Sequence, residues 1–397
     1  MSEEGRAGAG RFHGFDGLRA IAIVLVILWH GALVSRFPDG AMGLLRPLVK
    51  MGWSGVDLFF ALSGFLITAL LLREERAHAA RDGGARFSLG RFYARRALRI
   101  LPVFYAVFLL NTYILARAPV FDSVRATQIA AHHSPLGLSP YATFWSNYFV
   151  AYFYRLTGRP VDDPGLAYVV YWSLCVEEHF YLVWPFFLFF VRRWRARVLG
   201  ALAVCLAVPV LRWLAVDQNW DGQNAIRSLT HYRLDAILWG ALGALVHERL
   251  RPLVRARRLG LVAALAVAGV LVARGDLSVT PPGTALGLAL GLTMLSVAAT
   301  LALVDLALVP SSLGARVLEA RPLVAVGRVS YGMYLVHFQV IDVGRRLFFA
   351  VPRRPTVWNL VLSCGLYVLL TFGAAWLLYR LVERPFLRLK DRYFEPR

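Results

Sequence analysis

Apolar residues occur in long runs along this 397-residue chain, and each run is bounded by charged residues or by clusters of glycine and proline. A helix needs about 20 mostly apolar residues to cross a hydrocarbon core about 30 Å thick. The pattern therefore predicts an all-α, polytopic membrane protein with about ten transmembrane helices. The ten predicted spans are 18–35, 53–72, 98–116, 167–191, 198–216, 230–248, 259–273, 284–304, 322–343 and 357–379.

Composition agrees with this fold class. The chain is 58% hydrophobic and 17% charged, and its mean hydropathy is +0.55, which is too apolar for a soluble globular protein of this size. The first run follows a segment of mixed charge and lacks a small-residue cleavage site, so it reads as a retained helix rather than a secretory signal. We expect residues 1–397 to form one transmembrane domain without an appended soluble domain.

The basic residues give the predicted orientation. The formal net charge is +20, but the arginines lie in short clusters between apolar runs, which is typical of cytoplasmic loops and not of nucleic-acid-binding tracts. In the ten-span arrangement, 28 of the 44 basic residues lie on the side that carries both termini and 15 lie on the other side. The positive-inside rule therefore predicts cytoplasmic N and C termini.

Residues 118–166 form the longest segment predicted outside. The segment is rich in aromatic residues, so we expect an interfacial or re-entrant helix that caps the outer face. An eleventh full span here would invert everything downstream, which the arginine distribution opposes. The aromatic residues are Phe144, Trp145, Tyr148, Phe149, Tyr152 and Phe153.

Two ionisable side chains in the first span are candidates for function, because charge is costly in lipid. Arg19 and His30 are 11 residues apart, just over three helical turns, so both project from nearly one face about 16 Å apart along the axis. A neutral imidazole at that depth could accept a proton from a hydroxyl. The alternative is a histidine whose hydrogen bonds are satisfied by a neighbouring helix.

The fourth predicted span carries adjacent Glu177, Glu178 and His179. Successive helical residues point about 100° apart, so at most one of the two carboxylates can fully share a cavity with His30. Counted from Arg192, Glu178 lies about 21 Å above the cytoplasmic edge, close to the depth of His30. A Glu–His pair is therefore possible, and an interhelical polar clamp is equally compatible with the spacing.

Further polar residues lie inside the other spans. By helical rise, Asp235 and His337 lie about 21–24 Å above the cytoplasmic edge, so ionisable groups from four spans should converge on one layer. Arg233 and Asp235 are expected mainly to neutralise charges within the bundle. The candidate cavity residues are Asp57, Ser173, Arg233, Asp235, Arg328, Tyr331, Tyr334 and His337.

The segment before the third span is strongly basic. Arg95 and Arg99 are i,i+4 neighbours beside Arg96, and planar guanidinium groups bind phosphate bidentately. Anionic lipid headgroups are the alternative ligand. No metal site is predicted, because the three cysteines lie singly inside apolar runs.

Seven motifs follow one another along the chain: R-x10-H in the first span, GVDLFFALSGFLI, FYARRALRILP, WSLCVEEHFYLVWP, RLDAILWGAL, GRVSYGMYLVH and VERPF. Taken in this order, they resemble the acyltransferase-3 family of membrane-bound bacterial O-acyltransferases. The likeness extends from about Phe15 to Phe386.

The resemblance implies transfer of an acyl group, usually acetyl from acetyl-CoA, to a sugar hydroxyl of a surface polysaccharide, lipopolysaccharide, cell-wall polymer or glycosylated natural product. Acyl-CoA is then a substrate rather than a permanently bound cofactor, and the protein lies in the bacterial inner membrane among lipids. The family's essential positions correspond to Arg19, His30, Arg95, Arg96 and Arg99. Where the family usually has glutamine after the two glutamates, this chain has His179.

These residues permit a scheme in which the arginines bind acyl-CoA and His30 is the catalytic base, assisted by Glu177 or Glu178. A covalent acyl-His30 intermediate is the variant. The alternatives are a proton-coupled transporter and an acyl carrier or flippase that hands the group to a separate transferase. The sequence leaves the acceptor, the acyl length and the oligomeric state open.

Overall fold

The fold is a bundle of helices. The computed structural model describes residues 12–34, 51–82, 87–118, 136–157, 170–218, 223–273, 284–347 and 357–394, and no strand occurs among them. The helices are α1 Phe15–Val34, α2 Gly55–Asp82, α3 Leu89–Tyr113, α4 Ser139–Ala142, α5 Ser146–Thr157, α6 Tyr171–Phe190, α7 Trp194–Asp217, α8 Gln223–Ser228, α9 Thr230–Val246, α10 Val254–Ala273, α11 Leu292–Leu308, α12 Leu313–Leu318, α13 Arg321–Arg328, α14 Ser330–Leu347, α15 Val357–Leu378 and α16 Arg384–Phe394.

The long helices run in two opposite directions. In α3 and α6, Tyr93 donates a hydrogen bond to the Leu182 carbonyl near one end, and Asn111 contacts Tyr171 near the other, so these helices are antiparallel. Helices α1 and α14 run parallel, because Gly327, just before α14, touches Asp16 at the start of α1, and His337 lies beside His30 further along both helices. These directions are those that a chain crossing a membrane repeatedly would have.

Five helical segments among the described residues are long and apolar enough to cross a membrane. The prediction of ten transmembrane helices is therefore not confirmed. The other five predicted spans fall on helices that do not meet the criteria of length and hydropathy. One of them is α6, whose centre carries Glu177 and Glu178. The qualifying segments are Gly52–Ala80, Leu89–Arg117, Trp194–Asp217, Gly287–Leu308 and Val361–Phe394.

The predicted span 322–343 is two helices. α13 ends at Arg328, and α14 begins at Ser330 after a break at Val329. Tertiary contact explains the break: a Cβ on Gly327 would lie 1.8 Å from the Asp16 carbonyl oxygen, so the backbones of α13 and α1 touch there. Arg328, which was placed inside a span, therefore lies at the end of a short helix.

Part of the aromatic segment 118–166 is described. It contains α4, a turn in which Phe144 has a φ of 60°, and the 12-residue helix α5. α5 is about 18 Å long, too short to cross a membrane, and it packs against α6 and α8. Residues 119–135 and 158–169, and the predicted loop 36–50, lie outside the described residues.

Buried ion pairs join the helices at the centre of the bundle. Arg233 on α9 donates to Asp57 on α2 at 2.6 Å. Arg212 on α7 donates to both oxygens of Asp235 at 2.8 Å, and both partners are almost completely buried. A buried charge without a partner is costly, so these pairs determine which helix faces can meet. They match the predicted role of Arg233 and Asp235 in neutralising charges.

Candidate active site

A cavity of about 360 Å³ lies among the start of α1, the first two thirds of α2, the first halves of α3 and α6, the α13–α14 junction and the short π-helix Tyr379–Glu383. Its volume falls in the range of small-molecule sites. Part of its wall is apolar, with side chains such as Phe59, Phe60 and Ile67. The polar part contains five arginines and four carboxylates: Arg19, Arg73, Arg96, Arg99, Arg328, Asp16, Glu177, Glu178 and Glu383.

Three cavity arginines have no ion-pair partner among the described residues: Arg96, Arg99 and Arg328. The Arg96 guanidinium lies 3.9 Å from the centre of the Tyr181 ring. Arg19 is different, because it donates to Asp16 at 2.9 Å. Unpaired guanidinium groups that converge in one cavity favour an anionic ligand with several acceptor oxygens, such as a phosphate.

Arg95 lies apart from this group. It does not line the cavity, and its guanidinium forms an ion pair with Glu74 on α2. The face expected from the i,i+4 spacing of Arg95 and Arg99 is therefore not the cavity face, which instead carries Arg96 and Arg99 at i,i+3. Both spacings place side chains on one side of a helix, so spacing alone does not distinguish them.

The two glutamates of α6 have different surroundings. Glu177 accepts hydrogen bonds from the Ser63 hydroxyl at 3.0 Å and from the Tyr181 hydroxyl at 2.8 Å. Glu178 lines the cavity, and no hydrogen-bond donor contacts it in the described part of the chain. Glu177 is therefore held in place by its neighbours, whereas Glu178 is available to a ligand.

His30 is not paired with either glutamate. Its Nδ1 lies 3.2 Å from Nε2 of His337, and within the described ranges it makes no hydrogen bond to Glu177 or Glu178. The reason is the arrangement of helices: α6 presents its carboxylates to α2 and α3, whereas His30 on α1 faces α14. The expected Glu–His pair is thus replaced by a His–His pair.

Neither histidine lines the cavity, and Tyr334 connects the two regions. Tyr334 lines the cavity, its hydroxyl lies 2.5 Å from the Ser173 hydroxyl, and its carbonyl accepts a hydrogen bond from His337 at 2.7 Å. Tyr331 also lines the cavity and donates to the Ile100 carbonyl. Ser173, Tyr331 and Tyr334 are therefore brought together with the arginines and glutamates.

Besides His337, three of the predicted cavity residues lie elsewhere. Asp57, Arg233 and Asp235 form the buried ion pairs of the bundle and do not line the cavity. The single polar layer expected from helical rise is thus divided into the cavity, the His30–His337 pair and these ion pairs. Helical rise gives depth but not the direction in which a side chain points.

Sequence reasoning missed several polar residues of the cavity. Tyr181 could have been found, because it lies four residues after Glu177 on the same helix face. Glu383 lies in the VERPF motif and is close enough to Arg99 and Arg19 to attract both electrostatically. A single serine or arginine in the sequence gives no indication that it lines a cavity. The missed residues are Asp16, Ser63, Arg73, Tyr181, Ser330 and Glu383.

None of the three cysteines forms a disulfide bond. Cys175 and Cys205 are buried, and Cys364 is partly buried. The described residues contain no group of three or more histidine, cysteine or acidic side chains arranged to hold a metal ion.

The chain is similar to bacterial O-acetyltransferases over nearly its whole length. It is 26% identical over 383 residues to the peptidoglycan O-acetyltransferase OatA of Listeria monocytogenes, covering 93% of this chain and 55% of that protein. It is 27% identical to the putative peptidoglycan O-acetyltransferase YrhL of Bacillus subtilis (97% and 56% covered) and to the O-acetyltransferase OatA of Staphylococcus aureus (94% and 56%). The chain thus spans about half the length of these relatives. No solved structure matches it significantly.

The family model described as an acyltransferase domain matches residues 12–380. That range contains α1 to α15 and every residue of the cavity except Glu383. On this match, the chain belongs to the acyltransferase-3 family.

Proposed function

We propose that this protein is a membrane O-acyltransferase that moves an acyl group, acetyl in the first instance, from acyl-CoA to a carbohydrate hydroxyl. The observation that carries the proposal is the cavity, where three arginines without an ion-pair partner in the described part of the chain, Arg96, Arg99 and Arg328, lie beside an apolar wall. A coenzyme A thioester needs both features, because it joins phosphate groups to a long, weakly polar arm. Family membership supplies the reaction type.

In this scheme the arginines bind the donor phosphates. Arg96 and Arg99 lie on α3 and Arg328 lies at the end of α13, so their convergence positions the donor between α3 and the α13–α14 junction. Arg19 lies in the same cavity, where it is paired with Asp16, and Phe12 and Phe15 also line the cavity. Anionic lipid headgroups present the same phosphate chemistry, so donor-binding experiments need lipid as a competitor.

His30 is the proposed catalytic base. Its Nε2 accepts the proton of the acceptor hydroxyl while the hydroxyl oxygen attacks the thioester carbonyl carbon. The carbon–sulfur bond then breaks, and the sulfur takes the proton from His30, leaving an ester and free coenzyme A. For this step the thioester must pass from the cavity beyond Tyr334 to the His30–His337 pair. An acyl group carried on His30 is the covalent variant.

The acceptor is proposed to be a sugar hydroxyl of a cell-wall polymer. This follows the relatives, whose names specify peptidoglycan O-acetylation. Lipopolysaccharide, other surface polysaccharides and glycosylated metabolites have the same reacting group and are tested alongside. We place the protein in the bacterial inner membrane with both termini cytoplasmic, from the distribution of arginines.

The test measures free coenzyme A and esterified acceptor in one reaction. Purified protein in lipid nanodiscs is given acetyl-CoA and cell-wall fragments, and the products are measured by thiol titration and mass spectrometry. The proposal expects both products in equal amounts, and none from His30→Ala protein that remains monodisperse. Coenzyme A release without an ester would indicate an acyl carrier. Wild-type turnover by His30→Ala would contradict the assignment of the base.

A further inference from the structure

His337 is the direct partner of His30. It lies on α14, is fully buried, and its Nε2 is 3.2 Å from Nδ1 of His30. Its other nitrogen, Nδ1, is 2.7 Å from the Tyr334 carbonyl oxygen one helical turn earlier. The Tyr367 hydroxyl on α15 donates to the His337 carbonyl at 3.3 Å. Both ring nitrogens and the local backbone are therefore held by contacts from three helices.

These contacts determine where the protons lie. A carbonyl oxygen only accepts hydrogen bonds, so Nδ1 of His337 carries the hydrogen. A neutral imidazole has one hydrogen, so Nε2 of His337 presents a lone pair. Burial favours this neutral form, because no carboxylate among the described residues contacts the ring. The hydrogen between the two rings then belongs to Nδ1 of His30, and the Val26 carbonyl one turn earlier on α1 is a second acceptor within reach of the His30 ring. His30 consequently carries its proton at Nδ1 and has a lone pair at Nε2.

We infer that His337 is a positioning residue that holds His30 in the tautomer with a free Nε2. In serine hydrolases a buried carboxylate holds the catalytic histidine in this way. Here the acceptor is a neutral imidazole that exchanges no proton with His30. The effect on turnover rests on the proposed function of His30 as base, whereas the tautomer itself does not.

The neighbouring rings offer a simpler explanation that must be separated from this one. The Phe338 ring centre is 4.6 Å from His30 and 4.4 Å from His337, so His337 could act only by packing. Two variants distinguish these roles. His337→Phe keeps a ring of similar size without an acceptor, and His337→Gln keeps an amide oxygen that can accept near the position of Nε2. His78→Phe, at the far end of α2, is the matched control.

The first readout is the tautomer of His30 in wild-type protein, measured by nitrogen NMR on ¹⁵N-histidine-labelled protein in lipid. The His30 signals are assigned by their loss in His30→Gln, because the chain has nine histidines. We expect a protonated Nδ1 and an unprotonated Nε2 in wild type and in His337→Gln, and a changed signal in His337→Phe. A wild-type His30 protonated at Nε2 would overturn the inference whether or not the protein transfers acyl groups.

The second readout is turnover. His337→Phe should lower kcat by about 10- to 100-fold, as removal of a group that orients a functional histidine does, with KM for acyl-CoA unchanged. His337→Gln should restore much of kcat, and His78→Phe should behave as wild type. Equal losses in the two His337 variants would show that packing is responsible. If wild-type protein shows no transfer, the proposed function fails and the NMR result alone decides the tautomer.

Discussion

Glu177 and Glu178 are neighbours in sequence, but their surroundings differ. They indicate a structural role for Glu177 and a role in ligand contact for Glu178. Glu177 accepts two hydrogen bonds from side chains on α2 and α6, whereas Glu178 faces the cavity and no donor among the described residues contacts it. A carboxylate that neighbouring groups already satisfy stabilises the fold, and one left open interacts with what enters the cavity.

We therefore expect opposite effects from the two substitutions. Glu177→Ala should destabilise the protein by about 1–3 kcal/mol, because it leaves the Ser63 and Tyr181 hydroxyls without an acceptor. Glu178→Ala should leave thermal stability unchanged and alter acyl-CoA turnover. Stability is measured by thermal unfolding in detergent, followed by light scattering and tryptophan fluorescence. Acyl-CoA turnover is measured on the same preparations. Equal unfolding temperatures for the two variants would contradict this division.

For single residues, the sequence predicts which side chains belong to the site better than it predicts which side chains contact each other. Arg19, Arg96, Arg99, Glu177 and Glu178 were singled out and do lie together in the cavity. The partner of His30 was not foreseen, because His337 is 307 residues away and several intramembrane groups have similar depth. One sequence contains no information on which helix faces meet.

At the scale of helices, the contact between α2 and α9 depends on close backbone approach. Gly64 and Gly240 lie opposite each other, and a Cβ on Gly64 would be 1.9 Å from the Ile237 carbonyl oxygen. Small residues at such positions allow membrane helices to pack tightly. The same contact places Asp57 against Arg233, so the backbones and the ion pair support one another.

Substituting Gly64 should therefore separate these helices. Gly64→Ala is expected to destabilise the protein by about 1–3 kcal/mol, because the added methyl group meets backbone that cannot move without shifting α9. Gly365→Ala on α15 is the control, since its Cβ would meet no atom within 4 Å. Thermal unfolding of both variants is the measurement. Unchanged stability of Gly64→Ala would show that α2 and α9 can separate without cost.

Apolar runs located the helices well and their ends less well. The run 198–216 lies within α7, whereas 322–343 crosses the break at Val329. Hydropathy could not predict that break, because its cause is the contact of Gly327 with Asp16, more than 300 residues earlier. Some runs, such as that of α6, are bounded like transmembrane spans but contain glutamates or arginines. These residues lower the mean hydropathy of the run.

At the scale of the whole molecule, the arginines of the cavity lie at the end of the bundle that the arginine distribution assigns to the cytoplasm. The beginning of α1 and the first half of α3 contribute to the cavity, which extends along the first two thirds of α2, from Arg73 back to Val56. The aromatic helix α5 packs against the first half of α6, where the Ser146 hydroxyl lies 3.3 Å from the Cys175 sulfur, and beside the start of α9. The donor and the acceptor are therefore expected to approach from opposite ends.

Sidedness can be measured in vesicles. With the orientation of the protein determined first by protease digestion of a C-terminal tag, acetyl-CoA supplied only on the side of the C terminus should support transfer. The physical reason is that coenzyme A is a charged molecule that does not cross lipid. Activity that needs acetyl-CoA on the other side would reverse the proposed orientation.

The central claim is that unpaired cavity arginines bind the donor, and acyl-CoA affinity tests it most directly. Equilibrium binding of a non-transferable acetyl-CoA analogue is measured for wild type, Arg99→Ala and Arg316→Ala, the last an exposed arginine of α12 outside the cavity. Loss of a charge-assisted contact should cost about 1.5–3 kcal/mol in Arg99→Ala, at least a tenfold higher Kd, with no change in Arg316→Ala. Equal affinity in all three proteins, with added anionic lipid held constant, would contradict the account.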